Sequence, residues 1–455
     1  MTSQEASAFR IAIAGGGIAG LTLALVLKKF KNDKNIVIDL YEARHKFSES
    51  GAGITAWLRT RSIFDTLGLG ENFEKRTASP RMMFRKGNNQ DPFFFYEFEV
   101  PHGSATLSRQ DMLDILVDDL SPELLPYLHI HLCKKLVSYE QDADAVVMHF
   151  EDGSSAQADI LIGADGLASP TRKEMYTKMS EDMRGIDPER ADILKKHCLP
   201  SWIGTHAYRA LLNHRRIEKI NPNNIFLNQL IVGFGVRQHI ISYPISPEVI
   251  NILFFDTSPN SIDKPLQGPS MVPSSKEEIM ALYKDWEGDA REVIETIDDT
   301  SRWAMSHVRA LPTYVDCRVA LVGDSAHAMA THLGAGAGQA VEDAYILGHI
   351  LADPIVNKDN VIQALNVYDT IRRPIAHDVV EESLRLGGVY ELDPTAMRED
   401  MDSAKLEAGD REELQKLVSV FRDITTVHFT GMPENDWYQA RAMLYGRLHK
   451  QNGHL

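Results

Sequence analysis

Cysteine is scarce, with three in 455 residues: Cys133, Cys198 and Cys317. They lie too far apart for a disulfide framework or a CxxC metal pair, and they suit a reducing compartment. No run is apolar and long enough to span a bilayer. A basic run, a low-complexity segment and an internal repeat are also missing. The opening MTSQEASAFR lacks the basic-then-apolar pattern of a signal peptide. The formal net charge of -16 argues against nucleic acid and against an anionic membrane surface as partner. Together these absences point to a cytoplasmic protein. No metal is expected: His327 and His332, five residues apart, are poorly spaced as ligands on a helix. The length is enough for a large core and two packed domains.

What is present is concentrated at the start of the chain. Phe9 to Ala14 reads as a short apolar strand. It runs into Gly15-Gly16-Gly17-Ile18-Ala19-Gly20 and an apolar, helix-like run from Leu21 to Phe30. A second strand, Ile36 to Tyr41, stops at Glu42. This is the order of a dinucleotide-binding β-α-β unit. Gly15 allows the tight turn, Gly17 the close approach of a pyrophosphate and Gly20 close helix–strand packing. The helix N-terminus faces the phosphates with unpaired N–H groups. Glu42 stands where a carboxylate accepts ribose hydroxyls. The plain alternative is an ordinary glycine turn in an α/β core. A second match, Gly51-x-Gly53-x-x-Ala56, follows no strand and is discounted. Gly51 to Gly53 reads instead as a loop opening an amphipathic helix, with Ile54, Leu58, Phe64 and Leu67 among its apolar positions.

Residues 80 to 107 alternate apolar and polar, with Phe93-Phe94-Phe95-Tyr96 as sheet core, and β-rich sequence resumes from Trp202 to about Phe255. These predict a separate antiparallel sheet. Ser108 is a plausible N-cap for a helix that follows. Residues 175 to 200 are polar and read as a surface excursion. Lys276 to Ile297 is helical, a helix opens at about Gly338, and another runs from Val361 to Arg373 and stops at Pro374. The remainder is helical with charged faces. Two more buried strands end in glycine and an acid, at Asp165-Gly166 and at Gly323-Asp324. In a parallel sheet, ligands bind at the carboxyl ends of the strands. Three such ends suit a long ligand with a pyrophosphate and a polyol chain, which describes FAD.

Four stretches, taken together, resemble the single-component FAD-dependent aromatic hydroxylases of the para-hydroxybenzoate and salicylate hydroxylase type. They are GGGIAGL at Gly15, DILIGADGLASPTR at Asp159 to Arg172, RVALVGDSAHAMATHLGAGAGQAVEDA at Arg318 to Ala344, and YDTIRRP at Tyr368 to Pro374. The likeness runs from about Arg10 to Pro374. It implies an α/β fold: a Rossmann-type FAD-binding domain, an interleaved antiparallel-sheet substrate domain and a helical C-terminus. The FAD-binding domain is expected at 8–78, 106–180 and 300–375, the substrate domain at 79–105 and 200–299, and the helical region at 376–455. By the same resemblance Glu42 and Arg109 contact the adenosine side of FAD, and Arg44, Ala52 and Gly53 join the cofactor site. Asp165 belongs to a motif that serves FAD and the nicotinamide cofactor, and Asp324 holds the ribityl chain. Gly334, Ala335, Gly336 and Ala337 lie against the isoalloxazine.

The middle of the chain is similar to fungal salicylate-hydroxylase-like enzymes acting on phenols and polyketide aromatics. In those, an arginine of a YR step and residues of an H-x-x-x-Y-P stretch face the substrate. The matching positions here are Arg209, His239 and Tyr243. Two departures stand out: Thr331-His332 replaces the proline of the usual M-x-P, and Leu58-Arg59 replaces the usual Pro-Asn. Arg59 is open between a clamp for a substrate carboxylate and a solvated helix residue. The implied activity is NAD(P)H- and O2-dependent hydroxylation of a phenolic or aromatic acid substrate. FAD, reduced by NADH or NADPH, reacts with O2 to a C4a-hydroperoxide that delivers OH+ to an electron-rich carbon. A carboxylate on that carbon would leave as CO2. Arg209 stabilises a phenolate or binds a carboxylate, and Tyr243 or His239 relays the phenol proton. The family often forms homodimers. The alternative function is an FAD-dependent dehydrogenase, oxidase or reductase without oxygen insertion.

Overall fold

Apolar runs without polar alternation build the first of two large sheets, as strands covered on both faces require. The computed structural model describes residues 8–47, 53–74, 81–88, 91–121, 125–262, 268–429 and 431–452. The six strands of this sheet lie in the order Val315–Asp316, Val319–Leu321, Ile160–Gly163, Phe9–Ala14, Ile36–Tyr41 and Leu128–His131. All pairs are parallel except the first. Ile11, Ile13, Ile160, Ile162 and Leu321 are fully buried. Ala14 stands opposite Gly163, and Gly163 opposite Leu321. The loops carrying Gly15, Asp165 and Asp324 therefore leave one edge of the sheet side by side. The helix Ile18–Phe30 is buried from Ile18 to Leu27 and packs against the helix Gly336–Ala352.

The second sheet has eight strands, in the order Met271–Ser274, Thr300–His307, Ser201–Asn213, Val249–Thr257, Gln238–Pro244, Leu230–Gly235, Arg81–Lys86 and Phe93–Glu99. It is not wholly antiparallel as expected, because Leu230–Gly235 runs parallel to Arg81–Lys86. One face carries an aromatic cluster in which Phe84 meets Phe234 at 5.1 Å and Phe95 at 6.0 Å, ring centre to ring centre. Phe95 is thus core.

Two local expectations are corrected and a third is filled in, because residues 175 to 200, read as a polar surface excursion, are mostly exposed. Gly53–Ala56 is a strand, paired antiparallel with Ala105–Ser108, and the helix begins only at Leu58. Residues 175 to 200 lie largely in two helices, Pro170–Arg184 and Pro188–Lys196. Ser169 and Asp187 cap them, each accepting a backbone N–H, and each cap precedes a proline in the first turn. That cap-then-proline pair is a readable start signal. The helix expected to stop at Pro374 runs from Val361 to Tyr390. A proline inside a helix costs about 3 kcal/mol. Val379, Val380, Leu386 and Val389 beyond it are buried, and each buried side chain of that size contributes about 1.5–3 kcal/mol, so the buried face wins. No helix among the described residues is long and apolar enough to cross a membrane.

Candidate active site

A cavity of about 580 Å³ opens where the three strand ends meet and extends to the face of the second sheet. Gly15, Gly16 and Gly17 form its first wall. Gly15 has φ of +113°, and a Cβ there would stand 2.2 Å from the Ala164 carbonyl oxygen, so both the turn and the neighbouring strand demand glycine. Gly20 lies outside the cavity wall. A Cβ on it would meet the Gly15 carbonyl at 2.1 Å, and its absence lets the helix close onto the turn. Glu42 lines the cavity, and its carboxylate accepts the N–H groups of Gly16 and Arg44, both at 2.8 Å. It therefore fixes the glycine loop. Arg44 and Arg109 line the same end, joined by Lys134 and Lys135. Arg109 opens a helix whose N-cap, Ser108, forms a reciprocal capping box with Asp111.

Asp165 borders the cavity, yet its carboxylate turns back on its own loop. It accepts the Thr171 hydroxyl at 2.6 Å, the Thr171 N–H at 2.9 Å and the Ser169 hydroxyl. Burial pushes its pKa up against those bonds. Arg172, fully buried, donates to the carbonyls of Leu167 at 2.5 Å and Ser325 at 2.8 Å and so ties the Asp165 loop to the Asp324 loop. Asp324 lines the cavity, and no hydrogen bond from its carboxylate to another described residue is found. Gly334, Ala335, Gly336 and Ala337 form the wall beyond it, where the helix Gly336–Ala352 begins without a side-chain cap. The helix starting at Ile18 is likewise uncapped.

A buried charge network stands behind the Asp324 turn. Asp343 accepts the Gly323 N–H at 2.9 Å, and its other partners are His327 Nε2 at 2.5 Å and Arg372 Nε at 2.8 Å. Burial opposes its ionisation, but His327 and Arg372 prevail and hold its pKa down to about 2. Arg372 also donates to Glu342 at 3.0 Å and to Gln339 at 2.6 Å. Arg59 is neither solvated nor a cavity residue. It donates to Glu342 at 2.8 Å and pairs with Asp436 on the helix Pro433–Asn452.

At the opposite end the wall is largely apolar, with Leu230, Val232, Leu253 and Phe255 joined by Tyr243, Asn251 and His332. Tyr243 packs so closely on Gly53 that a Cβ there would stand 2.6 Å from its hydroxyl. Burial raises the Tyr243 pKa to about 12, against the opposing charge of Arg209. Arg209 is half-buried behind this wall and reaches it through Asn251, to which its Nε donates at 3.3 Å. His239, expected to face the substrate, does not line the cavity. It is fully buried, stacked on Phe255 at 4.0 Å, with Nδ1 3.0 Å from Glu391. The histidine in the wall is His332, set against Gly387, where a Cβ would come within 2.4 Å of its ring. Asn251, His332 and Glu391 had no signature in the sequence, apart from His332 occupying the family's proline slot. Ala52 lies outside the described residues. Among the described residues no group of three His, Cys, Asp or Glu side chains could hold a metal.

These residues fit FAD. Two uncapped helix N-termini meet the cavity, one beside a glycine loop with room for a pyrophosphate, and the Asp324 carboxylate has no hydrogen-bond partner there among the described residues. Comparison with known proteins agrees. The FAD binding domain family model matches residues 8–383. Salicylate hydroxylase of Pseudomonas putida is 33% identical over 399 residues, covering 85% of this chain and 86% of that protein. A 3-amino-4-hydroxybenzoate 2-monooxygenase of Streptomyces platensis is 27% identical over 410 residues, covering 88% and 93%. The structure of a salicylate hydroxylase substrate complex superposes with a TM-score of 0.73 at 28% identity, covering 92% of this chain and 98% of that one. Sequence, fold and cavity converge: the chain belongs to the FAD binding domain family and is an FAD-dependent aromatic monooxygenase.

Proposed function

We propose that the protein hydroxylates a phenolic substrate, using NADH or NADPH and O2, with the substrate held against Tyr243, Asn251 and His332. The observation that carries this reading is the position of those three polar side chains. They interrupt an otherwise apolar wall at the far end of the same cavity whose near end is the glycine loop. In this reading the Gly15–Gly17 loop and the first helix N-terminus hold the pyrophosphate of FAD. Glu42, Arg44 and Arg109 serve the adenosine side, and Asp324 the ribityl hydroxyls. The Gly334–Ala337 segment lies along the flavin ring. When bound, FAD supplies the electron transfer from the nicotinamide and the activation of O2.

The protein's own part is positioning, exclusion of water and charge stabilisation. The apolar wall lowers the local dielectric, and there a guanidinium acts more strongly on a phenolate than in water. Arg209, acting through Asn251 and beside Tyr243, favours the ionised phenol. The phenolate in turn pushes electrons onto its ortho and para carbons. A substrate bearing a carboxylate at the attacked carbon would lose it as CO2; one bearing a proton there would be hydroxylated.

The test is Arg209→Ala. It is expected to leave flavin content unchanged and to lower kcat/KM for a phenolic substrate roughly 100- to 1000-fold, the scale for losing one preorganised stabilising group. Wild-type kinetics in the variant would remove Arg209 from the site.

A further inference from the structure

The helix Pro433–Asn452 lies past the last of the stretches that resemble the hydroxylases and takes no part in the site described so far. It nonetheless reaches toward the flavin wall. Asp436, in its first turn, pairs with Arg59, and the same guanidinium donates through Nε to Glu342 at 2.8 Å. Glu342 stands in the second turn of the helix Gly336–Ala352. Gly431, at φ +107°, brings the chain over this guanidinium: a Cβ there would stand 3.2 Å from Arg59 Nη1. The Arg59, Glu342 and Asp436 side chains are only 14%, 3% and 16% exposed, so water screens these pairs little. The neighbours of Arg59 grip the same wall. Trp57 Nε1 donates to the Leu333 carbonyl at 3.3 Å, and Thr60 sits against Gly338, where a Cβ would stand 2.5 Å from its hydroxyl. Further along, Trp437 stacks on His349 at 4.6 Å, and the Tyr445 hydroxyl donates to Asp353 at 3.3 Å.

We propose that the C-terminal helix is part of the flavin-binding apparatus: Asp436, acting through Arg59 and Glu342, is a positioning residue that holds the Gly334–Ala337 wall in place against the flavin. The inference rests on the reading that lays the flavin ring along that wall.

The charges alternate along the way. Asp436, Arg59, Glu342, Arg372 and Asp343 run in contact from the C-terminal helix to the Gly323 N–H. In such an array each guanidinium is fixed between two carboxylates, and their attraction is strong where water is excluded. Burial disfavours the Arg59 charge, but Glu342 and Asp436 outweigh it and hold its pKa above the ordinary value. With Asp436 neutralised, Arg59 is left, among the described residues, to Glu342, which Arg372 already shares. The guanidinium then follows Glu342 instead of holding it. The start of the helix Gly336–Ala352, uncapped at the cavity, gains freedom that flavin binding must take away again, at a cost in affinity.

The test is Asp436→Asn, which keeps the shape and removes the charge. Flavin-free protein is titrated with FAD, and the same flavin-free protein is unfolded in urea. FAD affinity is expected to fall about 10-fold, within the range of roughly 5- to 150-fold for coupling between separated sites. Asp436→Glu, which keeps the charge, should retain most of the affinity. Arg59→Met should lose at least as much as Asp436→Asn, and adding Asp436→Asn to Arg59→Met should cost no further affinity, because residues on one path are not additive. An ion pair that serves stability alone would lower the urea midpoint and leave FAD affinity at the wild-type value; that result in Asp436→Asn overturns the proposal. Fully additive losses in the double variant overturn it too, because Asp436 would then act by another route. In either case an Asp324→Ala protein that still loses its flavin leaves the reading of the cofactor site standing. Wild-type protein that takes up no FAD overturns both.

Discussion

Arg372→Met is expected to destabilise the protein by about 3–5 kcal/mol, the range for removing one partner of a buried ion pair. The methionine fills most of the volume, so the loss is electrostatic. Arg372 is fully buried and neutralises Asp343 and Glu342 directly. Without it, Asp343 keeps, among the described residues, only His327 and the Gly323 N–H, in a site where both carboxylates are buried. The effect reaches the cofactor site because Asp343 holds the Gly323 N–H, and Gly323 sits at φ +63° directly before Asp324. Flavin affinity should therefore fall together with stability. The pH dependence has a definite sign. The folded pKa of Asp343 lies near 2, below its ordinary 3.8. Its contribution is present above about pH 4 and lost as pH falls toward 2. In Arg372→Met that acid limb should move to higher pH. Urea unfolding of apo and FAD-loaded protein across pH measures all three; a loss under 1 kcal/mol would show that the network relaxes around the change.

Asp324→Ala should leave a folded protein with little bound flavin. Its carboxylate faces the cavity, and under the proposed role it accepts hydroxyls of the ribityl chain. Hydrogen bonds to a charged group contribute about 1.5–3 kcal/mol each. Losing one therefore weakens FAD binding roughly 10- to 100-fold, and losing two compounds the effect. Stability without FAD should barely change, unlike in Arg372→Met. The readouts are the visible spectrum after gel filtration and a flavin titration. Full yellow occupancy at wild-type affinity would take Asp324 out of the cofactor site.

The two variants mark where the sequence was legible. Gly15, Glu42, Asp165 and Asp324 could be read because each sits at the end of its own apolar strand, and a parallel sheet aligns such ends by rule. The other end of the cavity obeys no such rule. Only Tyr243 stood in a readable stretch there; Asn251 faces it from the neighbouring strand, His332 comes from a separate turn, and only tertiary packing brings the three together. His239 was misplaced although it shares its strand face with Ile241 and Tyr243, which line the cavity: Phe255, His332 and Tyr390 pack on its ring, and a local motif does not say which distant residues will cover a position. Arg59 was misread for the same reason: its partners Glu342 and Asp436 lie 283 and 377 residues away. The helix through Pro374 shows a local rule losing to the burial of a distant face.

The central claim is an FAD enzyme whose flavin answers to an aromatic substrate. The direct measurement is anaerobic: reconstitute the protein with FAD, add NADH or NADPH, and follow flavin bleaching with and without a panel of phenols and phenolic acids. The account predicts that flavin is taken up and that at least one aromatic strongly accelerates its reduction. On admitting O2, that same compound should be recovered with one oxygen atom added, or with its carboxylate replaced by hydroxyl. Protein that takes up no flavin, or flavin that bleaches equally fast without any aromatic, would contradict it.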